Sequence, residues 1–404
     1  MPQLKEVNVT PQVIRWARKS AGFSIEEAAA KIGRPEEEIE AWESGDLKPT
    51  MAQVRKACET YKRPLAVFFL PEPPSDFSTL RDFRRLPADV PRAYSPALRF
   101  LLRQTHYRQE WLSEFLQSEE QAPLAFIGSG SISNDPLKLA QRIREALRVT
   151  REDIRNCRTR EEALGLWVSR TEDTGIFVFR AGNMRWEKID VIEARGFVLS
   201  DPYAPFIFLN AQDAKAAQVF TLAHELVHLW LNESGVSNLR TASTPTTQAD
   251  RIEIFCNRVA ADILVPADEF QGRWKQGDPT TPLGERIDMQ SKYFKVSEWV
   301  IARRLLDSGQ ISKAKYDALA QEYEEQWHKQ RTQEKENVTE GGPSYYRLKL
   351  VNDGYAFTKT VLSAYQSGRL SGRDTSSLLG VKLNKMEKLA ALIAMPIRWR
   401  RTAS

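Results

Sequence analysis

The chain has 404 residues, 42% of them hydrophobic and 27% charged, a balance that excludes a largely disordered protein and allows two to four domains. A formal net charge of +5 is mild for this length, so it permits nucleic-acid contact without arguing for it. Three widely spaced cysteines, Cys58, Cys157 and Cys256, exclude a disulfide framework and a Cys-x-x-Cys metal knuckle. The apolar run Leu65 to Leu70 is too short to span a membrane and the start of the chain has no basic-then-apolar export signal, which predicts a cytoplasmic protein with no membrane partner.

In chain order, residues 10–70 read as a compact set of short helices, opened by Thr10 as N-cap before Pro11. Pro71, Pro73 and Pro74 cannot continue a helix and mark a boundary. Helical spacing predicts scaffold helices from Ser95 to about Glu120 and from Asp135 to Leu147. Three runs of β-formers follow, at 176–179, 196–200 and 206–210, the last two separated by the turn DPYAP, and they predict a small antiparallel sheet. Helices return at Ala214 to Leu231 and at Gln248 to Leu264, the latter ending before Pro266. A charged stretch leading to Gly341, Gly342 and Pro343 reads as an exposed helix end and linker, followed by a small helical C-terminal domain.

The segment FTLAHELVHLWL places His224 and His228 four residues apart on a predicted helix, so both imidazoles leave one face a turn apart. Glu225 points to the side of that pair, where it can reach a water rather than the ion. Apolar neighbours bury the motif, and buried imidazoles need partners that a metal supplies. A catalytic site usually takes three protein ligands. With no third histidine nearby, a carboxylate from helix 248–266 is expected, and Asp250, Glu253 and Asp262 are on offer. Glu253 shares a stripe with Cys256, Asn257, Ala260 and Leu264, mostly small residues that let two helices approach closely, and Asp250 is the fallback.

FTLAHELVHLWL followed by EIFCNRVAADILVP resembles the ImmA/IrrE family of metallo-endopeptidases over roughly residues 160 to 310. Cys256 and Val259 stand where that family's pattern has Ala and Phe. The resemblance implies His224, His228 and Glu253 as ligands of zinc, with manganese the other suitable ion, and Glu225 as general base. It also implies a protein substrate such as a transcriptional repressor or the product of a neighbouring gene, cut in response to stress or a mobile element.

Residues 10–70 resemble an Xre/Cro-type helix-turn-helix domain, through Ala21-Gly22, Ala28-Ala29, Ile39, Trp42-Glu43, Gly45 and Pro49. Such a domain lays its third helix in the DNA major groove. Here that helix carries Glu36, Glu37, Glu38 and Glu40, four carboxylates that oppose a polyanion and suit docking of a partner protein. Arg15, Arg18, Lys19, Lys31, Arg34 and Lys48 remain to grip phosphates. Residues 291–309 have a further helix-turn-helix cadence, as does 357–393. The latter is more basic, and its Arg373, Lys382 and Lys385 are the candidates for DNA contact.

The expected fold is mainly α, of the α+β class. A five-helix Xre-type domain (1–72) is followed by a helical scaffold (73–159). Then come a zincin-like peptidase domain with a small antiparallel sheet and two metal-binding helices (160–325), and a helical C-terminal domain (343–404). Two functions remain open: a zinc endopeptidase, or a DNA- or toxin-binding regulator of antitoxin type whose metal site does not turn over. Glu225 favours the enzyme, because a structural zinc site has no use for a base.

Overall fold

The computed structural model of the protein describes residues 6–74, 81–82, 93–184, 187–237, 247–336 and 345–394. The linker read at Gly341 to Pro343 lies outside these residues. Contacts divide the chain into two compact units. The first holds α1 (Pro11–Ala21), α2 (Ile25–Ile32), α3 (Glu36–Ser44), α4 (Met51–Tyr61), a 3-10 turn at Leu65–Phe69 and the start of α5 (Pro96–Ser118) as far as Tyr107. Ser24 with Glu27, and Thr50 with Gln53, form reciprocal capping boxes that open α2 and α4. Thr10 precedes Pro11 as expected, but its hydroxyl donates to the Leu70 carbonyl at 2.6 Å and does not cap α1. Ile14, Ala17, Ala28, Ile39, Trp42, Val54, Tyr61 and Phe68 fill the core between these helices. Arg18 lies inside, with Nε and Nη2 donating to the Glu43 carboxylate at 2.6 and 2.9 Å, the two-pronged pairing a buried guanidinium requires.

The second unit takes the rest of α5, then α6 (Pro136–Leu147), α7 (Arg151–Asn156), α8 (Arg160–Glu172), α9 (Lys215–Trp230) and α10 (Gln248–Leu264). Its later helices are α11 (Ala267–Gln276), α12 (Leu283–Phe294), α13 (Glu298–Asp307), α14 (Lys313–Glu336), α15 (Tyr345–Asp353), α16 (Tyr355–Gln366), α17 (Gly372–Leu379) and α18 (Met386–Ala394). Among the described residues the strands are β1 (Arg81–Asp82), β2 (Phe177–Ala181), β3 (Asn183–Met184), β4 (Glu187–Lys188), β5 (Gly196–Leu199), β6 (Phe206–Asn210) and β7 (Gly235–Ser237). Five of them form one sheet in the order β1-β7-β5-β6-β2, while β3 and β4 pair separately as an antiparallel hairpin.

The sheet is mixed, which corrects the antiparallel expectation. β5 pairs antiparallel with β6 and with β7, but β2 runs parallel to β6 and β1 parallel to β7. The turn between β5 and β6 makes a true hairpin, because Asp201 Oδ1 accepts from the amides of Tyr203 and Ala204. β2 stands at the edge of the sheet, on the side of β6 away from β5, and among the described residues pairs only with β6.

Helix α9 packs against β5 and β6 on one side and against α8 and α10 on the other. Every residue from Gln218 to Trp230 is therefore buried, and the polar members of α9 must be satisfied from within the core. The C-terminal helices join this unit: α15 and α16 pack on β2. Phe357 is fully buried with its ring 5.5 Å from that of Phe179 and 6.0 Å from that of Phe206. Among the described residues no helix is long and apolar enough to cross a membrane.

Candidate metal centre

Helices α9 and α10 bring His224, His228 and Glu253 together in the core. One ligand atom from each lies within 4.8 Å of the others. The two Nε2 atoms face each other at 3.0 Å, and the Glu253 carboxylate reaches His228 Nε2 at 3.1 Å (Oε1) and His224 Nε2 at 3.4 Å (Oε2). His224 and His228 are at most 1% exposed and Glu253 is 5% exposed, so no bulk water is available to stabilise the carboxylate.

The donor set fits a cation. His224 Nδ1 lies 3.0 Å from Asn257 Oδ1. An amide oxygen only accepts, so that ring nitrogen carries the proton and Nε2 presents a lone pair to the centre. That lone pair, the facing His228 Nε2 and a carboxylate lie close together, an arrangement of donors that suits a cation. The titration of the cluster agrees. Burial pushes Glu253 up, but His224 and His228 outweigh it and hold the carboxyl at about 2. Burial pulls His224 down, yet Glu253 and Asn257 leave it raised overall. A divalent ion would be held by the same atoms of His224, His228 and Glu253 and would compete with protons for them.

Glu225 is fully buried beside the cluster. Its Oε1 accepts a hydrogen bond from the Ser237 hydroxyl on β7, and Oε2 has no hydrogen-bond partner among the described residues. Burial raises its carboxyl above the usual range, with His224, His228 and Ser237 drawing it part of the way back. β5 comes close enough to touch this side chain only because it carries Gly196: a Cβ there would lie 3.1 Å from Glu225 Oε1 and 2.5 Å from Thr221 Cγ2.

The other two carboxylates of α10 serve elsewhere. Asp250 is the third residue of the helix and closes a capping box with Thr247, accepting from its amide at 3.0 Å. Asp262 is ion-paired with Arg304 of α13 in the core. Asn257, Ser237 and Gly196 adjoin the cluster at positions the sequence reading did not assign. Asn257 stood on the Glu253 stripe, a readable hint, whereas Ser237 and Gly196 arrive from strands distant in sequence with no local signal.

The remaining candidates are scattered over the surface. Glu36, Glu37 and Glu40 are exposed on α3, while Glu38 is half-buried, accepting from Gln53 Nε2 at 2.8 Å with Arg34 at 3.8 Å. Three of these four glutamates occupy the first turn of α3, where the helix dipole favours negative charge. Arg18, expected to grip phosphate, is committed to Glu43. Arg373, Lys382 and Lys385 are exposed on α17 and the turn that follows it.

Two comparisons bear on this arrangement. Residues 172–306, which contain α9 and α10, match the family model of the IrrE N-terminal-like domain, Peptidase_M78. Residues 14–68 match a helix-turn-helix family model. No curated protein matches the chain.

Proposed function

We propose that the IrrE N-terminal-like domain of this chain works as a zinc-dependent endopeptidase that cuts a cytoplasmic protein, with a transcriptional repressor as the substrate class. The observation that carries this reading is the convergence of His224, His228 and Glu253 beside a buried, half-satisfied Glu225. Three protein ligands leave a coordination position open, as hydrolytic zinc sites do, whereas structural sites are closed by four. Zinc would supply Lewis acidity toward the scissile carbonyl and make water acidic enough to react near neutral pH, and manganese suits the same ligands. Glu225 takes a proton from water through Oε2 as the C–O bond forms and returns it to the amine nitrogen as the C–N bond breaks. Ser237 holds the other oxygen and so fixes which one faces the substrate. Asn257 keeps His224 in the tautomer that ligates.

The helix-turn-helix domain serves recognition. The exposed Glu36, Glu37 and Glu40 support docking of a partner protein on α3, and Arg373, Lys382 and Lys385 are the better candidates for DNA. The test is incubation of the zinc-loaded protein with the product of the neighbouring gene. Glu225→Gln should reduce cleavage by about 100-fold or more with zinc content unchanged, while His224→Ala should lose the zinc. Equal cleavage by wild type and Glu225→Gln would remove Glu225 as general base, whereas no cleavage by the zinc-loaded wild type would favour a regulator whose metal site does not turn over.

A further inference from the structure

The first unit contains a concave site that the peptidase reading leaves unused. Gln12, Arg15, Trp16, Lys19 and Ser20 lie along one face of α1, and with Arg99 of α5 they line a cavity of about 400 Å³. It is a shallow depression, largely open to solvent. The cavity gathers positive charge. The Arg63 guanidinium stacks 4.1 Å from the centroid of the Trp16 ring and donates to Ser20 Oγ at 3.0 Å, which puts a fourth cation beside Arg15, Lys19 and Arg99.

Glu43 does not neutralise this cluster. It is already paired twice with Arg18, so the contact of Arg15 with it, at 3.5 Å, leaves the local balance positive. Lys19 is exposed; its carbonyl accepts from the Gly22 amide at 3.0 Å, and its side chain makes no hydrogen bond or ion pair among the described residues. Arg99 uses Nε on the Tyr94 carbonyl at 3.0 Å, which fixes its stem. The position of that stem depends on Gly22: a Cβ there would lie 2.8 Å from Arg99 Cδ. With φ +84, Gly22 both ends α1 and makes room for the arginine.

We propose that this cavity binds a nucleoside phosphate, with Lys19, Arg15 and Arg99 holding the phosphate and the Trp16 indole lying against the base. Arg15, Lys19 and Arg99 line one local depression together with Trp16, a compact cluster that matches a single phosphate group with an adjoining ring more closely than a long run of duplex backbone. An indole flanked by a guanidinium offers a planar surface that extends naturally to a further aromatic ring.

The experiment is calorimetric titration of the full-length protein with adenosine and guanosine triphosphates, inorganic pyrophosphate and a short DNA duplex. The expected result is saturable binding of a nucleotide, weakened about tenfold or more by Lys19→Met and by Arg99→Met, with Trp16→Leu weakening the nucleotide more than pyrophosphate. Lys19→Met carries the decision, because an exposed side chain without partners is not needed for folding. Absence of nucleotide binding at millimolar concentration, or binding that Lys19→Met leaves unchanged, overturns the proposal. Duplex binding through these residues without nucleotide binding overturns it in favour of a nucleic-acid contact.

Discussion

At the residue scale, the proposed metal centre would depend on side chains that never touch the ion. Asn257 Oδ1 fixes the proton on His224 Nδ1; without it the ring is free to turn or to present the wrong nitrogen. Asn257→Ala should therefore weaken zinc binding by about 10- to 100-fold, the usual cost of losing such a partner, as read by competition with a chromogenic chelator. Gly196→Ala is a steric test of the same neighbourhood. Its Cβ would lie 2.5 Å from Thr221 Cγ2 and 2.9 Å from the backbone oxygen of Phe208, and a backbone atom in a sheet cannot move aside. Destabilisation of about 1–3 kcal/mol is expected, measured by urea unfolding. The two histidines were legible in the sequence because both ligands lie within one helical turn. The Ser237 contact was not, since β7 has three residues and no alternating pattern to reveal it.

At the element scale, most helices and the three longer strands could be read from periodicity and punctuation. Asp135 before Pro136, Thr247 at the start of α10 and Pro266 after it mark ends by local chemistry alone. Strand neighbours are a different matter, because pairing depends on where the chain goes between strands. That is why the sequence alone suggests an antiparallel place for β2, while the structure has it parallel to β6. Packing between elements was equally hidden. Arg108 in α5 is buried, donating from Nε to the Leu378 carbonyl and from Nη2 to Asp353 Oδ1, each at 3.0 Å. It thereby ties α5, α15 and α17 through one charge. Asp353→Asn removes the countercharge and leaves a buried guanidinium poorly compensated, at a cost of about 3–5 kcal/mol. The double replacement Arg108→Met with Asp353→Leu should recover a large part of that loss, and chemical denaturation of the three variants distinguishes pairing from packing.

At the scale of the whole molecule, the C-terminal helices are part of the second unit and not an appendage. β2 is the last strand of the sheet, and a strand in that place exposes unpaired backbone groups unless something covers them. α15 and α16 pack there, the Ala356 amide donates to Glu172 Oε1 at 3.1 Å, and Gly354 approaches the Val178 carbonyl so closely that a Cβ would lie 2.5 Å from it. Phe357 then completes an aromatic cluster with Trp111, Phe179 and Phe206. Phe357→Ala should cost about 3–5 kcal/mol, the range for deleting a buried aromatic side chain. Truncation before Tyr345 should go further, uncovering those rings and the strand together, so the shortened chain should aggregate on expression or melt without a cooperative transition. Light scattering and calorimetry read both effects. A truncated protein that stays monodisperse with an unchanged melting temperature would mean that the sheet needs no cover from the C-terminal helices, and their role would then be sought in recognition alone.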